Sequence, residues 1–143
     1  MVGGQMLDMV ATDQAMDIKS LEDIHKRKTG ALICCAVVCG AMCSNKITTQ
    51  QLEKLVMYGQ SIGHAFQVID DILDIESTTE QLGKPTGSDV DQGKLTYPSL
   101  LGLEESKQLA QKLYQQAIAS LASISDNTAQ LESLAHKIVF RIK

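Results

Sequence analysis

Aromatic side chains are nearly missing from this chain: it has no tryptophan, and three tyrosines and two phenylalanines make up 3% of its 143 residues. Sheets draw on aromatic and β-branched residues, whereas here the 44% hydrophobic content is carried by Ala, Leu, Ile, Met and Val, so the composition predicts an all-α protein. Blocks of like charge are also absent. With a formal charge of −4 and no basic patch, nothing in the sequence would attract a phosphate backbone or an anionic lipid surface, and nucleic-acid partners are set aside. No apolar run is long enough for a membrane span: Ala31 to Cys43 is the longest, well short of the roughly 20 residues a bilayer requires, so no membrane insertion is expected. Met1 is followed by Val2, Gly3, Gly4 and Gln5 without a basic segment leading into an apolar one, so no secretory signal is visible and a cytoplasmic location is the expectation.

The length is the commonest for one domain. Four cysteines, Cys34, Cys35, Cys39 and Cys43, fall inside the apolar run. Thiolate ligands to zinc usually come as pairs on turns, with further ligands from elsewhere, and these do not, so the four are expected to be small buried hydrophobes in a reducing compartment. The run itself is apolar all round and predicts a helix buried on every side.

Asp17 and Ser20 are capping residues for a helix starting near Leu21, with Ser20 and Asp23 as a short capping box, and Gly30 marks a bend. After a break at Asn45 and Lys46, Thr48 or Thr49 caps a long helix. Its apolar residues Leu52, Leu55, Val56, Ile62, Phe66, Ile69 and Leu73 keep a period of three to four as far as Glu76. Ser77 to Ser99 is a polar loop containing Gly83, Pro85, Gly87, Gly93 and Pro98, and loops of that length in a compact domain often carry function. Helical patterns then cover a short turn near Leu100, Glu104 to Ser123, and Thr128 to about Arg141.

The chemistry is concentrated at the end of the long helix, in Phe66-Gln67-Val68-Ile69-Asp70-Asp71-Ile72-Leu73-Asp74. A 3.6-residue period sets Gln67, Asp70, Asp71 and Asp74 at neighbouring positions, where three carboxylates repel one another and oppose the helix dipole. A hard cation explains such a cluster, and magnesium in particular takes one or two carboxylates and fills its shell with water and substrate phosphates. The bland alternative is a solvated acidic face. Against it stand two Gly-Lys pairs, Gly83-Lys84 and Gly93-Lys94, and the bend Lys28-Thr29-Gly30, each able to bring an ammonium and backbone amides to an anion. Carboxylates bearing magnesium beside such lysines would make a diphosphate clamp. No Ser-His or Cys-His constellation is evident, and His25, His64 and His136 are scattered.

The stretch Gly63 to Asp74, followed by Leu82-Gly83-Lys84, Asp89, Asp91 and Gly93-Lys94-Leu95-Thr96-Tyr97-Pro98, resembles the second aspartate-rich region of trans-isoprenyl (polyprenyl) diphosphate synthases of the short-chain farnesyl or geranylgeranyl type. Gly3-Gly4-Gln5-Met6-Leu7-Asp8 and His25-Lys26-Arg27-Lys28-Thr29-Gly30 extend the likeness along nearly the whole chain. The resemblance implies the all-helical isoprenoid synthase fold and an Mg2+-dependent prenyltransferase that condenses an allylic diphosphate with isopentenyl diphosphate by ionisation, attack of the double bond and proton loss. It further implies that Asp70 binds metal directly, with Asp71 and Asp74 acting through water or orienting the ions. Lys28, Lys84 and Lys94 would hold the allylic diphosphate, and Thr29, Phe66 and Gln67 would line the junction with the second substrate. On the same likeness Lys28, Thr29, Gln67 and Lys94 are the catalytic set, while Gln5 and Asp8 stand behind the residues that touch substrate or line the cavity wall. The Gly-Lys-Leu-Thr-Tyr-Pro loop favours chain elongation over terpene cyclisation.

The family's first aspartate-rich motif and its Gly-Lys-x-x-Arg segment have no counterpart in these 143 residues. Residues 1–143 are therefore expected to be the C-terminal half of a single polyprenyl synthase domain: an all-α helical bundle, incomplete because its N-terminal helices are missing. Such a chain would be inactive alone and would associate as a homo-oligomer, a dimer, through uncovered apolar surface. The alternative reading is a non-catalytic helical fragment that binds magnesium or diphosphate, or serves oligomerisation.

Overall fold

The computed structural model of the chain describes residues 1–11, 17–76, 95–124 and 127–141. Every regular element among them is helical: α1 (Val2–Ala11), α2 (Ile18–His25), a π-helical segment (Lys26–Gly30), α3 (Ala31–Met42), α4 (Thr49–Glu76), α5 (Tyr97–Leu101), α6 (Leu103–Leu121) and α7 (Ala129–Val139).

Side-chain caps set several of the starts. Asp17 accepts from the Ser20 backbone N–H at 2.9 Å, so α2 begins at Ile18, earlier than the Ser20–Asp23 box would place it. Thr48 and Gln51 cap α4 reciprocally: Gln51 N–H donates to Thr48 Oγ1 at 3.2 Å, and Thr48 N–H donates to Gln51 Oε1 at 3.0 Å. Thr96 and Ser99 repeat the arrangement at α5, within the stretch expected to be loop, with Pro98 in the first turn where its missing N–H is harmless.

The axis of the bundle is α4, which contributes to two successive hydrophobic clusters. Its first half packs Leu55, Tyr58 and Ile62 against Ala117 and Leu121 of α6 and Ala135 of α7. Its second half packs Ala65, Val68, Ile69 and Ile72 against Leu21 of α2, Tyr97 of α5, Ala110 and Leu113 of α6, and Val139 of α7. The Tyr58 hydroxyl donates to the Leu131 carbonyl at 2.7 Å, and desolvation pushes its pKa up to about 12. The expectation of a bundle lacking its N-terminal helices is corrected by this arrangement. Helix begins at Val2, and α2 enters the same core that α4 to α7 share, because Leu21 closes one side of the α4 stripe.

The reading of α3 is corrected as well. None of its residues is buried, and Leu32 and Met42 are 55% and 64% exposed, because only one side of the helix meets α4. The cysteines follow their helix: Cys34 is half-buried, whereas Cys35, Cys39 and Cys43 are exposed free thiols.

α4 meets its neighbours at two glycines. A Cβ on Gly63 would lie 2.8 Å from Gly30 Cα, and one on Gly59 would lie 2.9 Å from Cys34 Cα, so both crossings bring helix backbones together with no room for a side chain. A third crossing fixes α1, where a Cβ on Gly4 would run into the Lys28 backbone nitrogen.

Candidate active site

The π-helical turn opens directly from α2 and passes into α3 without leaving helical backbone angles. Such turns hold an extra residue within the helix and often occur at functional sites. This one carries Lys28 and Thr29, both half-buried, and it ends at Gly30 where the chain touches Gly63 of α4. Gln67 lies one turn beyond Gly63 along α4, and Asp70 and Asp71 roughly one turn farther. The glycine crossings therefore set the Lys28-Thr29 backbone beside the approach to the acidic motif.

Lys28 Nζ is held by Asp8 Oδ2 at 2.7 Å, with side chains 29% and 24% exposed, so α1 supplies the counter-ion that orients this ammonium. Gln5, from the same helix, is exposed. The three carboxylates differ in their surroundings. Asp70 has a side chain 44% exposed and accepts a hydrogen bond from Arg141 Nη2 at 3.1 Å. Asp71 is buried and accepts from the Tyr97 backbone N–H at 2.9 Å, tying the first turn of α5 to α4. Asp74 is buried, as is Gln67, while Phe66 is half-buried beneath the Arg141 guanidinium, whose carbon lies 4.4 Å from the ring centre. Lys84 and Lys94 lie outside the described residues.

Among the described residues no three Asp, Glu, His or Cys side chains converge as a cage for a metal ion. That donor set suits magnesium, which needs only one or two carboxylates when water and phosphate fill the rest of its octahedron, and Asp70 offers such a carboxylate on an open face.

One feature escaped the sequence reading and a second was only weakly signalled by it. The histidines that look scattered are not: His64 Nε2 lies 2.7 Å from the Tyr97 hydroxyl, and the His25 and His64 rings stand 5.4 and 5.6 Å from the Tyr97 ring. Burial pushes His25 down to about 4, with the Lys28 charge acting in the same direction, and it lowers His64 as well. Tyr97 thus joins the two neutral histidines to the acidic motif through its own backbone. The second feature is Arg141, which a lone arginine late in the sequence hardly signals. Two cavities flank these parts. One, of about 570 Å³, is lined by Lys26, Gly30, Ala31, Cys34 and Gln60 on the π-segment side, and the other, of about 260 Å³, lies between α4, α6 and α7 beside Glu76, Lys107 and Arg141. The smaller one borders the acidic motif. No helix among the described residues is long and apolar enough to cross a membrane.

Comparison with known proteins agrees with the helical arrangement. The chain is 45% identical over 139 residues to farnesyl diphosphate synthase of Haemophilus influenzae, covering 96% of this chain and 47% of that protein. Its structure matches heptaprenyl diphosphate synthase from Staphylococcus aureus with a TM-score of 0.93 at 26% identity, over 99% of this chain and 56% of the other. It also matches a geranyltransferase from Helicobacter pylori, solved in complex with magnesium and isoprenyl diphosphate, with a TM-score of 0.80 at 28% identity over 97% and 45%. The chain spans about half the length of the curated relatives it matches. The expectation of a C-terminal half is corrected to a match of the polyprenyl synthetase family model over residues 1–134, nearly the whole chain. With the model and the relatives in agreement over the same residues, the chain belongs to the polyprenyl synthetase family.

Proposed function

We propose that the chain holds the allylic diphosphate and its magnesium in a trans-prenyltransferase reaction, the condensation of an allylic diphosphate with isopentenyl diphosphate that forms farnesyl or geranylgeranyl chains. The observation that carries this reading is the Gly30–Gly63 crossing, which sets Lys28 and Thr29 against the helix bearing Gln67 and Asp70. Relatives named farnesyl diphosphate synthase and geranylgeranyl pyrophosphate synthase support the two product classes.

In this reading Asp70 is the direct metal contact. Asp71, engaged by the Tyr97 N–H, fixes the helix end from which Asp70 projects, and Asp74 orients the same turn. Lys28 is poised by Asp8 and binds the diphosphate as a point charge, with Lys84 and Lys94 completing the clamp from the polar loop. Thr29, Phe66 and Gln67 line the junction with the isopentenyl group. Magnesium, when bound, neutralises charge growing on the departing diphosphate. The chain's own share is preorganised positive charge and the exclusion of water from the allylic carbon, with no nucleophilic side chain required. The sequence has a single Asp-Asp-x-x-Asp motif. The 143 residues by themselves therefore bind the allylic diphosphate without condensing it.

Calorimetric titration of an unreactive allylic diphosphate analogue, with and without magnesium, tests this. Wild-type chain should bind only with magnesium, and Asp70→Ala should weaken binding at least tenfold while remaining folded; equal binding by the two proteins would remove Asp70 from the site. Exposed apolar residues on α1 and α3, among them Met6, Met9, Leu32 and Met42, support self-association as a dimer. Light scattering should give twice the mass of one chain, and Leu32→Glu should shift it toward the monomer; a wild-type monomer at all concentrations would exclude the dimer.

A further inference from the structure

Tyr97 is attached to α4 at two points. Its backbone N–H donates to Asp71 Oδ2 at 2.9 Å, and its hydroxyl lies 2.7 Å from His64 Nε2. His64 and Asp71 are seven residues apart, two turns of one helix face and about 10 Å along the axis. The tyrosine therefore lies along α4 as a strap, within the cluster of Ala65, Val68 and Ile72. It is fully buried, and His25 of α2 stands against it with ring centres 5.4 Å apart. Burial keeps the His64 ring neutral and the phenol protonated, so the contact is a hydrogen bond between uncharged groups. Packing alone does not require this pair. A leucine at 64 and a phenylalanine at 97 would fill the same apolar cluster, and replacing both partners of a buried hydrogen bond by apolar groups of similar shape is close to neutral for stability. What apolar contact cannot supply is register, because it has no direction and lets one helix slide along another. Hydrogen bonds at both ends of Tyr97 fix the start of α5 along α4.

We propose that His64 is a positioning residue for the acidic motif: by holding the Tyr97 hydroxyl it fixes the Tyr97 N–H against Asp71, and so fixes the turn from which Asp70 meets magnesium. The inference rests on the reading of Asp70 as a metal ligand. The contacts are continuous, from imidazole to phenol, through the tyrosine's own backbone to the Asp71 carboxylate, and from Asp71 to the residue beside it. With the hydroxyl released, Tyr97 keeps its apolar neighbours but the start of α5 is free to shift along α4, and the Asp71 carboxylate loses a fixed donor. His64 itself touches neither substrate nor ion.

Magnesium-dependent binding of the unreactive allylic diphosphate analogue, measured by calorimetry beside urea midpoints, tests this in wild type, Tyr97→Phe, His64→Leu, His64→Gln and the double variant His64→Leu with Tyr97→Phe. Tyr97→Phe and His64→Leu should each weaken binding about tenfold, the scale of one lost buried hydrogen bond. The double variant should return to the wild-type urea midpoint yet bind as weakly as either single variant, which separates positioning from stability. His64→Gln, whose amide reaches the place of Nε2, should recover most of the affinity. Wild-type affinity in Tyr97→Phe or in the double variant overturns the proposal while leaving Asp70 as the ligand, and binding by His64→Gln no better than by His64→Leu does the same. Equal binding by wild type and Asp70→Ala would instead overturn the ligand assignment and the proposal with it. No binding by wild type has that consequence too. Should the variants fail to fold, the imidazole nitrogen NMR signals of His64 in wild type decide: they should move when magnesium and analogue are added together, and signals unchanged at saturation overturn the positioning role.

Discussion

Acidification is expected to destabilise the fold by about 2 kcal/mol at pH 5 and about 3 kcal/mol at pH 4, relative to neutral pH, through His25. Its ring is buried against Tyr97, Nδ1 finds no hydrogen-bond partner among the described residues, and burial holds its pKa at about 4. In the unfolded chain the same ring titrates at about 6.5. Unfolding therefore takes up a proton between these values, so stability is fully present above pH 6.5 and is lost as pH falls toward 4. His64, lowered in the same direction by burial, adds to the loss within that window. Carboxylates that titrate lower contribute mainly below it. Urea midpoints measured at pH 7, 6, 5 and 4.5 check the expectation, and a His25→Gln variant should flatten the profile. A wild-type midpoint that holds steady down to pH 5 would show that the ring is hydrated in solution.

Gly63→Val should destabilise the chain by about 3 kcal/mol and disturb the site at the same time. An added Cβ would come within 2.8 Å of Gly30 Cα and 3.1 Å of its carbonyl oxygen, and neither backbone atom can step aside without moving the π segment. The helices would have to separate, carrying Lys28 and Thr29 away from α4. That displacement should weaken magnesium-dependent binding of the allylic diphosphate analogue by the same chain. The internal control is Gly40, where a Cβ meets open space: Gly40→Ala should stabilise by up to about 1 kcal/mol because alanine is the better helix former. Thermal melts of the two variants should therefore shift in opposite directions. Melts that shift the same way would mean that the Gly30–Gly63 approach is looser in solution.

Much of the architecture can be read from local pattern. The period from Leu52 to Glu76 announces α4, and Thr48 or Thr49 announces its start, because both signals depend on residues within one or two turns. The acidic run can be read as a cluster on the same grounds. Which carboxylate is buried cannot, since Asp71 is engaged by the backbone N–H of Tyr97, 26 residues farther on, and Asp70 by Arg141, 71 residues farther on. His25 and His64 look unrelated for the same reason: the tyrosine between their rings arrives from beyond the polar loop. The cysteines show a different limit. Ala31 to Met42 reads as apolar in every direction, but hydrophobicity says what a helix would bury and not what lies opposite, and among the described residues α3 has a neighbour on one side only. Nothing in Lys26-Arg27-Lys28-Thr29-Gly30 signals a change of hydrogen-bonding period either, because side-chain identity scarcely affects the choice between α and π turns there.

That turn fixes a register. A π segment is an α-helix with one residue inserted, and its wider turn absorbs that residue, so the faces of α2 and α3 keep nearly the relation they would have in an unbroken α-helix one residue shorter. Leu21 and His25 therefore stay on the core side of α2 while the widened turn carries the Lys28 ammonium to Asp8. Length in this stretch is consequently forgiving for the fold: deleting Lys26 or Arg27 should leave α2 and α3 packed as they are and remove only the local widening beside Asp8.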